Sequence, residues 1–237
     1  MLSRLYEPLG RVHDGKRWLV LRANEFGVPA IWLYRLRDVV LSGLALVVLV
    51  PLFLVVGLLV KLSSPGPVFF STTVVGKDRN AFTWHKFRSM RVVPDTEDVE
   101  QRRGEFGAYA RGEACPANDG LSKVIDHRRV TGVGRFIRRY SIDELPQLWN
   151  VFRGEMSLVG PRPCLPYEAE CFTDWRARRF QARPGLTGVW QVYGRGRVPF
   201  DEGAALDVYY TYQQTLGFDL KLIAKTVGVV LTGRGGL

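Results

Sequence analysis

The sequence predicts an α+β protein: a membrane re-entrant helix-break-helix anchor followed by a compact, mostly helical domain with a few short strands. Two observations lead there. Residues 39–60, VVLSGLALVVLVPLFLVVGLLV, form an uncharged apolar run with Pro51 near its middle. Beyond it, short aromatic and β-branched stretches give way, from Arg128 onward, to helical patterns separated by Gly/Pro turns.

The apolar run comes first in the argument. About 22 residues at about 1.5 Å each make a helix of about 33 Å, close to the hydrocarbon thickness of a bilayer. It lies too far from the N-terminus for a secretory signal, and no small-residue cleavage site follows it. A buried helix of a soluble domain usually carries polar residues along one side, and this run does not. Pro51 removes one helical hydrogen bond and crowds the carbonyl of Val47. Two geometries accommodate that. One is a kinked transmembrane helix; the other is a hairpin with arms of about 12 and 9 residues, about 18 and 14 Å long, neither able to cross about 30 Å. Arg35 and Arg37 precede the run, while Lys61 and a basic domain follow it. A span would set one basic flank outside, so charge placement favours the hairpin. The chain then divides into an N-terminal extension (1–34) suited to a membrane surface or a partner, the re-entrant segment (35–62) and a cytosolic domain (63–237).

Lysine and arginine total 33 against 23 aspartates and glutamates, a formal charge of +10. Such an excess points to anionic partners: nucleic acid, phosphorylated metabolites or an acidic membrane surface. Apolar residues at 46% and charged residues at 24% exclude wholesale disorder. Cys115, Cys164 and Cys171 form no C-x-x-C pair, which suits a reducing, cytosol-facing compartment.

After the anchor, Leu62-Ser63-Ser64-Pro65-Gly66-Pro67 reads as a turn. Residues 68–70 and 82–87 read as short strands joined by a turn at 76–80. Residues 94–120, rich in Glu, Arg and Gly, read as a helix within a mobile excursion. Residues 145–152, 166–179 and 206–232 read as helices. There is no G-x-x-x-x-G-K-[ST] and no G-x-G-x-x-G between a strand and a helix, which excludes a P-loop enzyme and a dinucleotide fold. His13, His85 and His127 are too scattered for a zinc site.

The densest chemistry lies at Arg138-Arg139-Tyr140-Ser141-Ile142-Asp143-Glu144-Leu145-Pro146-Gln147. With Arg128, Arg129 and Arg135, five guanidinium groups precede two acids. Guanidinium forks match phosphate oxygens and stay charged, so the cluster reads as a phosphate clamp; a lipid-headgroup patch is the alternative. Ser141 to Glu144 fits an S-x-x-E capping box, but Pro146 fits better if Asp143 is the N-cap. Either way the acids sit at a helix start beside arginines. An ionised aspartate there, against a bound phosphate, could also act as a nucleophile and form an acyl phosphate. Further cations stand at Lys86 and Arg88, in the proline-stiffened Gly160-Pro161-Arg162-Pro163 loop, and in residues 183–195, where Trp190 and Gln191 suit a base or a sugar.

Assembled, these pieces carry a resemblance. The Pro51-centred run, Ser64-Pro65-Gly66-Pro67-Val68-Phe69-Phe70, Lys86-Phe87-Arg88-Ser89-Met90, residues 141–150, Gly160-Pro161-Arg162-Pro163 and residues 183–195 follow one another in family order. The sequence resembles the monotopic phosphoglycosyl transferases, bacterial sugar transferases that start glycan assembly on undecaprenyl phosphate. The resemblance implies that Asp143 attacks the β-phosphate of a UDP-sugar, releasing UMP, and that undecaprenyl phosphate then takes the phosphosugar. It implies Mg2+ held by Asp143 and Glu144, with Glu144 also managing protons. Arg138 and Arg162 would hold the phosphates, Lys86 and Arg88 join them as substrate-binding cations, and Arg183, Gln191 and Arg195 shape the nucleotide-sugar pocket. The implied home is the cytoplasmic face of a bacterial inner membrane, with membrane lipid as partner, no nucleic acid, and a homodimer left open. A membrane-anchored scaffold without turnover is the alternative reading. Two departures stand out: Val50 replaces the serine many members place before the anchor proline, and Tyr193 stands where smaller or polar residues are common.

Overall fold

The computed structural model describes residues 12–13, 16–17, 30–92, 98–113, 129–194 and 198–232. Most of the N-terminal extension, Cys115 and Arg195 therefore lie outside the described residues. Two short strands, β1 (Val12–His13) and β2 (Lys16–Arg17), pair antiparallel ahead of the anchor.

The apolar run forms two helices, α1 (Ala30–Val48) and α2 (Val50–Ser63), bent by 61° at the break. Both are longer than the hairpin arms expected from composition, about 28 and 21 Å, because polar residues at each outer end continue the helix. The break falls at Leu49, with Pro51 in the first turn of α2, where its missing N–H matters least. The ladder runs up to it and resumes beyond it: Leu49 N–H donates to Ala45 at 2.9 Å, and Phe53 N–H donates to Leu49 at 2.9 Å. Among the described residues no single helix is long and apolar enough to cross a membrane, but this bent pair is by length and composition.

The hairpin of β3 (Phe69–Val75) and β4 (Ala81–Phe87) is antiparallel with Thr72 opposite Trp84. It matches the two expected strands, lengthened by the intervening β-branched residues. Phe87 points off β4 into a cluster with Val56, Val60 and Ile137, so α2, β4 and α4 (Gly132–Arg139) share one core. Burying each of these side chains is worth about 1.5–3 kcal/mol. Thr131 caps α4 by accepting from Gly134 N–H at 2.8 Å. Gly134 is required: a Cβ there would lie 1.9 Å from the Ser89 carbonyl oxygen.

Three expectations change. The helix within residues 94–120, α3 (Asp98–Ala110), is no loose excursion: Phe106 and Tyr109 are buried against Phe200. The helix expected over 166–179 splits into α6 (Pro166–Glu170) and a 3-10 stretch (Asp174–Gln181), where Asp174 takes φ +51°. The helix expected over 206–232 is two, α7 (Phe200–Gln213) and α8 (Leu216–Leu231), because Thr215 caps a fresh start by accepting from Phe218 N–H. Between these groups lie α5 (Gln147–Arg153) and the parallel pair β5 (Ser157–Val159) and β6 (Gly185–Thr187).

Candidate active site

Asp143 and Glu144 share one 3-10 turn, Ile142–Glu144, between α4 and α5. The chain enters it through Ser141 at φ +52°, a conformation non-glycine residues seldom adopt and one that clusters at functional sites. Both capping expectations fail here. α5 starts at Gln147 behind Pro146 with no side-chain cap, and Ser141 makes no cap bond. The helix begins late because the tight turn occupies the residues that a cap would need. Asp143 is 8% exposed and stands at the inner side of the turn.

Alternation along β4 decides what faces the acids. Phe87 goes inward, and Trp84 and Lys86 share the other face. The Lys86 ammonium lies 4.0 Å from the centre of the Trp84 ring and 2.9 Å from Glu144 Oε1. This pair keeps contact with water, at 14% and 23% side-chain exposure. Arg138 sits in the last turn of α4, beside the 3-10 turn that follows it. Lys86 thus meets Glu144 directly, and the turn that carries Asp143 packs against β4 and α4.

Arg88 is placed elsewhere. It is buried, and its guanidinium donates to the carbonyls of Val60, Ser64 and Pro65 at 3.2, 2.6 and 2.8 Å. It ties off the C-terminus of α2 and does not join the acids.

The loops carrying Arg162 and Arg183 are zipped together by the β5–β6 pairing. Gly160 N–H donates to Thr187 at 2.8 Å, and Gly185 N–H donates to Pro161 at 2.8 Å. The Arg162 guanidinium lies 5.6 Å from the Trp190 ring centre. Gln191 follows in a one-turn π-helix, Trp190–Gly194, a form found often at functional sites. Tyr193, in the same turn, meets Lys225 of α8 through its hydroxyl and its ring face. Arg183 is half-buried beside Pro184, and Arg195 lies outside the described residues.

Arg162 and Trp190 also border a small cleft with Phe106, Arg179, Phe200 and Asp207. Arg179 and Asp207 are an ion pair at 2.6 Å, 4% and 5% exposed. Burial pushes the Asp207 carboxyl above its ordinary range against the opposing pull of Arg179. Burial likewise pushes the Cys164 thiol to about 11 and the Tyr167 hydroxyl to about 12. Sequence reasoning missed this pair, whose partners stand 28 residues apart with no local signal. It also read Arg35 and Arg37 as a basic flank. Instead, Arg35 donates to the Val151 and Phe152 carbonyls at 2.7 Å, while Arg37 is paired with Asp38 and Asp219.

Among the described residues no group of three or more His, Cys, Asp or Glu could cage a metal. Magnesium does not need one. It is commonly held by one or two carboxylates plus substrate phosphates and water, and the adjacent Asp143 and Glu144 supply hard oxygen donors of that kind.

Residues 30–233 match the family of bacterial sugar transferases. The chain is 39% identical over 198 residues to the exopolysaccharide production protein ExoY of Sinorhizobium fredii, covering 84% of this chain and 85% of that one. It is 40% identical over 206 residues to the UDP-glucose:undecaprenyl-phosphate glucose-1-phosphate transferase of Caulobacter vibrioides, covering 84% of this chain and 69% of the relative. It is 38% identical over 204 residues to the undecaprenyl-phosphate galactose phosphotransferase of Salmonella typhimurium, covering 86% of this chain but 41% of the longer relative. The matched region takes in the bent helix pair, the acid turn and the Arg162 loop alike, and the chain belongs to the bacterial sugar transferases.

Proposed function

We propose that the protein transfers a sugar 1-phosphate from a UDP-sugar to undecaprenyl phosphate at the cytoplasmic face of a bacterial inner membrane, in the synthesis of an exopolysaccharide or related glycan. The observation that carries this is the acid turn itself: Asp143 buried at a strained turn, with Lys86 of β4 bonded to the neighbouring Glu144 and Arg138 in the last turn of the preceding helix. The similarity to relatives named for this reaction supports the choice of donor and acceptor.

In the first step an Asp143 carboxylate oxygen attacks the β-phosphorus of the donor. The bond from that phosphorus to the bridging oxygen breaks, and UMP leaves with the electron pair. In the second step a phosphate oxygen of undecaprenyl phosphate attacks the same phosphorus, and the carboxylate departs unchanged. Splitting the transfer this way lets two substrates of different solubility use the site in turn. Asp143 and Glu144 would hold Mg2+, which when bound neutralises diphosphate charge. Lys86 and Arg138 hold phosphate oxygens, and Lys86 is kept in place by Glu144 and the Trp84 ring. Arg162 and Gln191, on the neighbouring loops, face the sugar and nucleoside side. The exposed apolar faces of α1 and α2, including Leu44, Val47, Leu54 and Leu58, would lie in lipid with both helix ends on one side.

The test is UMP release in nanodiscs across a panel of UDP-sugars with Mg2+ and undecaprenyl phosphate. Release that requires both donor and lipid is the expected outcome. A protein that binds membranes yet turns over no donor in the panel would instead be a scaffold.

A further inference from the structure

The cluster around Arg37 has no part in the chemistry above, yet it is the most deeply buried group of charges that α1 contributes. Arg37 is 9% exposed at its side chain, Asp38 2% and Asp219 0%. The Arg37 guanidinium donates to Asp219 on α8, to Asp38 at 2.8 Å and to the Ser157 hydroxyl of β5 at 3.3 Å. Asp38 in turn accepts from the Leu158 N–H at 3.3 Å. The Tyr210 hydroxyl stands 2.9 Å from Asp219 Oδ1 and 3.0 Å from the Val159 carbonyl. One arginine therefore joins the anchor, the strand that runs directly into the Arg162 loop, and the last two helices.

A second arginine on the same helix reaches the other half of the site. Arg35 donates to the last carbonyls of α5, and Gly154 with φ +88° leaves room, since a Cβ there would come within 3.1 Å of the guanidinium. α5 begins immediately behind the acid turn. The base of α1 is thus fastened to the helix that follows the acid turn and to the strand that leads into the Arg162 loop. Buried ion clusters seldom outdo apolar packing for stability, so their best-attested use is fixing one arrangement among several.

From this geometry we infer that Arg37, Asp38 and Asp219 are positioning residues that set the depth and tilt of the anchor relative to the acid turn, and that they serve the lipid half of the reaction rather than the donor half. The inference rests on the two-step reading above. A UDP-sugar is soluble and reaches the turn from water whatever the anchor does. A polyprenyl phosphate is confined to the bilayer, where headgroup height is fixed by the lipid. Only its approach needs the acid held at a set distance from the membrane plane, and a misplacement of about 1 Å can cost about 100-fold in rate.

Arg37→Lys and Asp219→Asn, in nanodiscs, test this together with a spin label at Val47 whose immersion depth is read directly. The UMP burst from donor alone should stay within about twofold of the unmodified protein, while turnover with undecaprenyl phosphate falls about 10- to 100-fold. A short-chain polyprenyl phosphate in detergent should restore it, the label depth should shift, and Arg37→Lys should retain more activity than Arg37→Met. Asp38→Asn serves as a further variant should Asp219→Asn not fold. Equal losses in burst and lipid transfer, an unchanged label depth, or unchanged lipid turnover would each overturn the inference. Absence of any burst in the unmodified protein would instead overturn the two-step reading.

Discussion

The acid turn and the Arg179–Asp207 pair use the same kinds of charged residue in opposite ways. At the turn, Lys86 and Glu144 meet at 2.9 Å but keep 14% and 23% of their side chains in contact with solvent. Arg179 and Asp207 meet at 2.6 Å with 4% and 5%. The first pair is open to exchange of partners, because water already shares the site. The second holds two segments of the domain together, and any exchange would strand a charge in a low-dielectric interior. Residue type gives the potential for phosphate binding, but burial decides whether a charge is still available for it.

The sharpest way to break this contrast is Asp143→Asn. The change is isosteric, so the turn should remain folded while UMP release drops by about 10⁴-fold or more, the scale seen when a nucleophile is removed. Retained turnover would place the reacting group elsewhere. Next, Arg179→Met or Asp207→Leu alone should destabilise the domain by about 3–5 kcal/mol in urea titration, and the double variant by much less, because the single changes leave an unpaired buried charge. A single variant as stable as the parent would mean the pair is not sealed from water.

A smaller effect is expected at the Lys86–Glu144 pair. Lys86→Met should lower kcat/KM for the donor about 10- to 100-fold yet change stability by less than about 1 kcal/mol, since an ion pair that water still reaches contributes little to folding. Loss of stability with unchanged kinetics would reverse its assignment. The smallest effect concerns Cys164. Its thiol is raised from 9.0 to about 11 in the folded chain. A raised folded value means that its share of stability is complete below about pH 9 and is lost as pH climbs toward 11. Native-state alkylation at pH 8 should therefore label the half-buried Cys171 before the buried Cys164.

Features read from local pattern survived best. The proline break, the β3–β4 hairpin and the packing of the acid turn between β4 and α4 all depend on residues within a few positions of a turn or a strand register. What escaped notice depends on distance along the chain. Arg37 and Asp219 are 182 residues apart, and Arg179 and Asp207 are 28 apart. Arg88 looked like one more cation beside Lys86, yet the strand ends at Phe87, and Arg88, just past it, turns to the carbonyls of Val60, Ser64 and Pro65 at the end of α2. The helix start at 143–147 was misplaced for a different reason. Capping rules assume relaxed backbone, and Ser141 takes φ +52° ahead of the tight turn. Phe106 and Tyr109, in a segment whose polar composition suggested mobility, proved to be core because two aromatics at i and i+3 outweigh their solvated neighbours.

The most direct measurement is the intact mass of the protein in nanodiscs after exposure to its UDP-sugar and Mg2+ without lipid acceptor. An added hexose phosphate, or N-acetylhexosamine phosphate, mapped to Asp143 and discharged on adding undecaprenyl phosphate, is the predicted result. UMP released with no adduct formed, or an adduct that persists in Asp143→Asn, would contradict it.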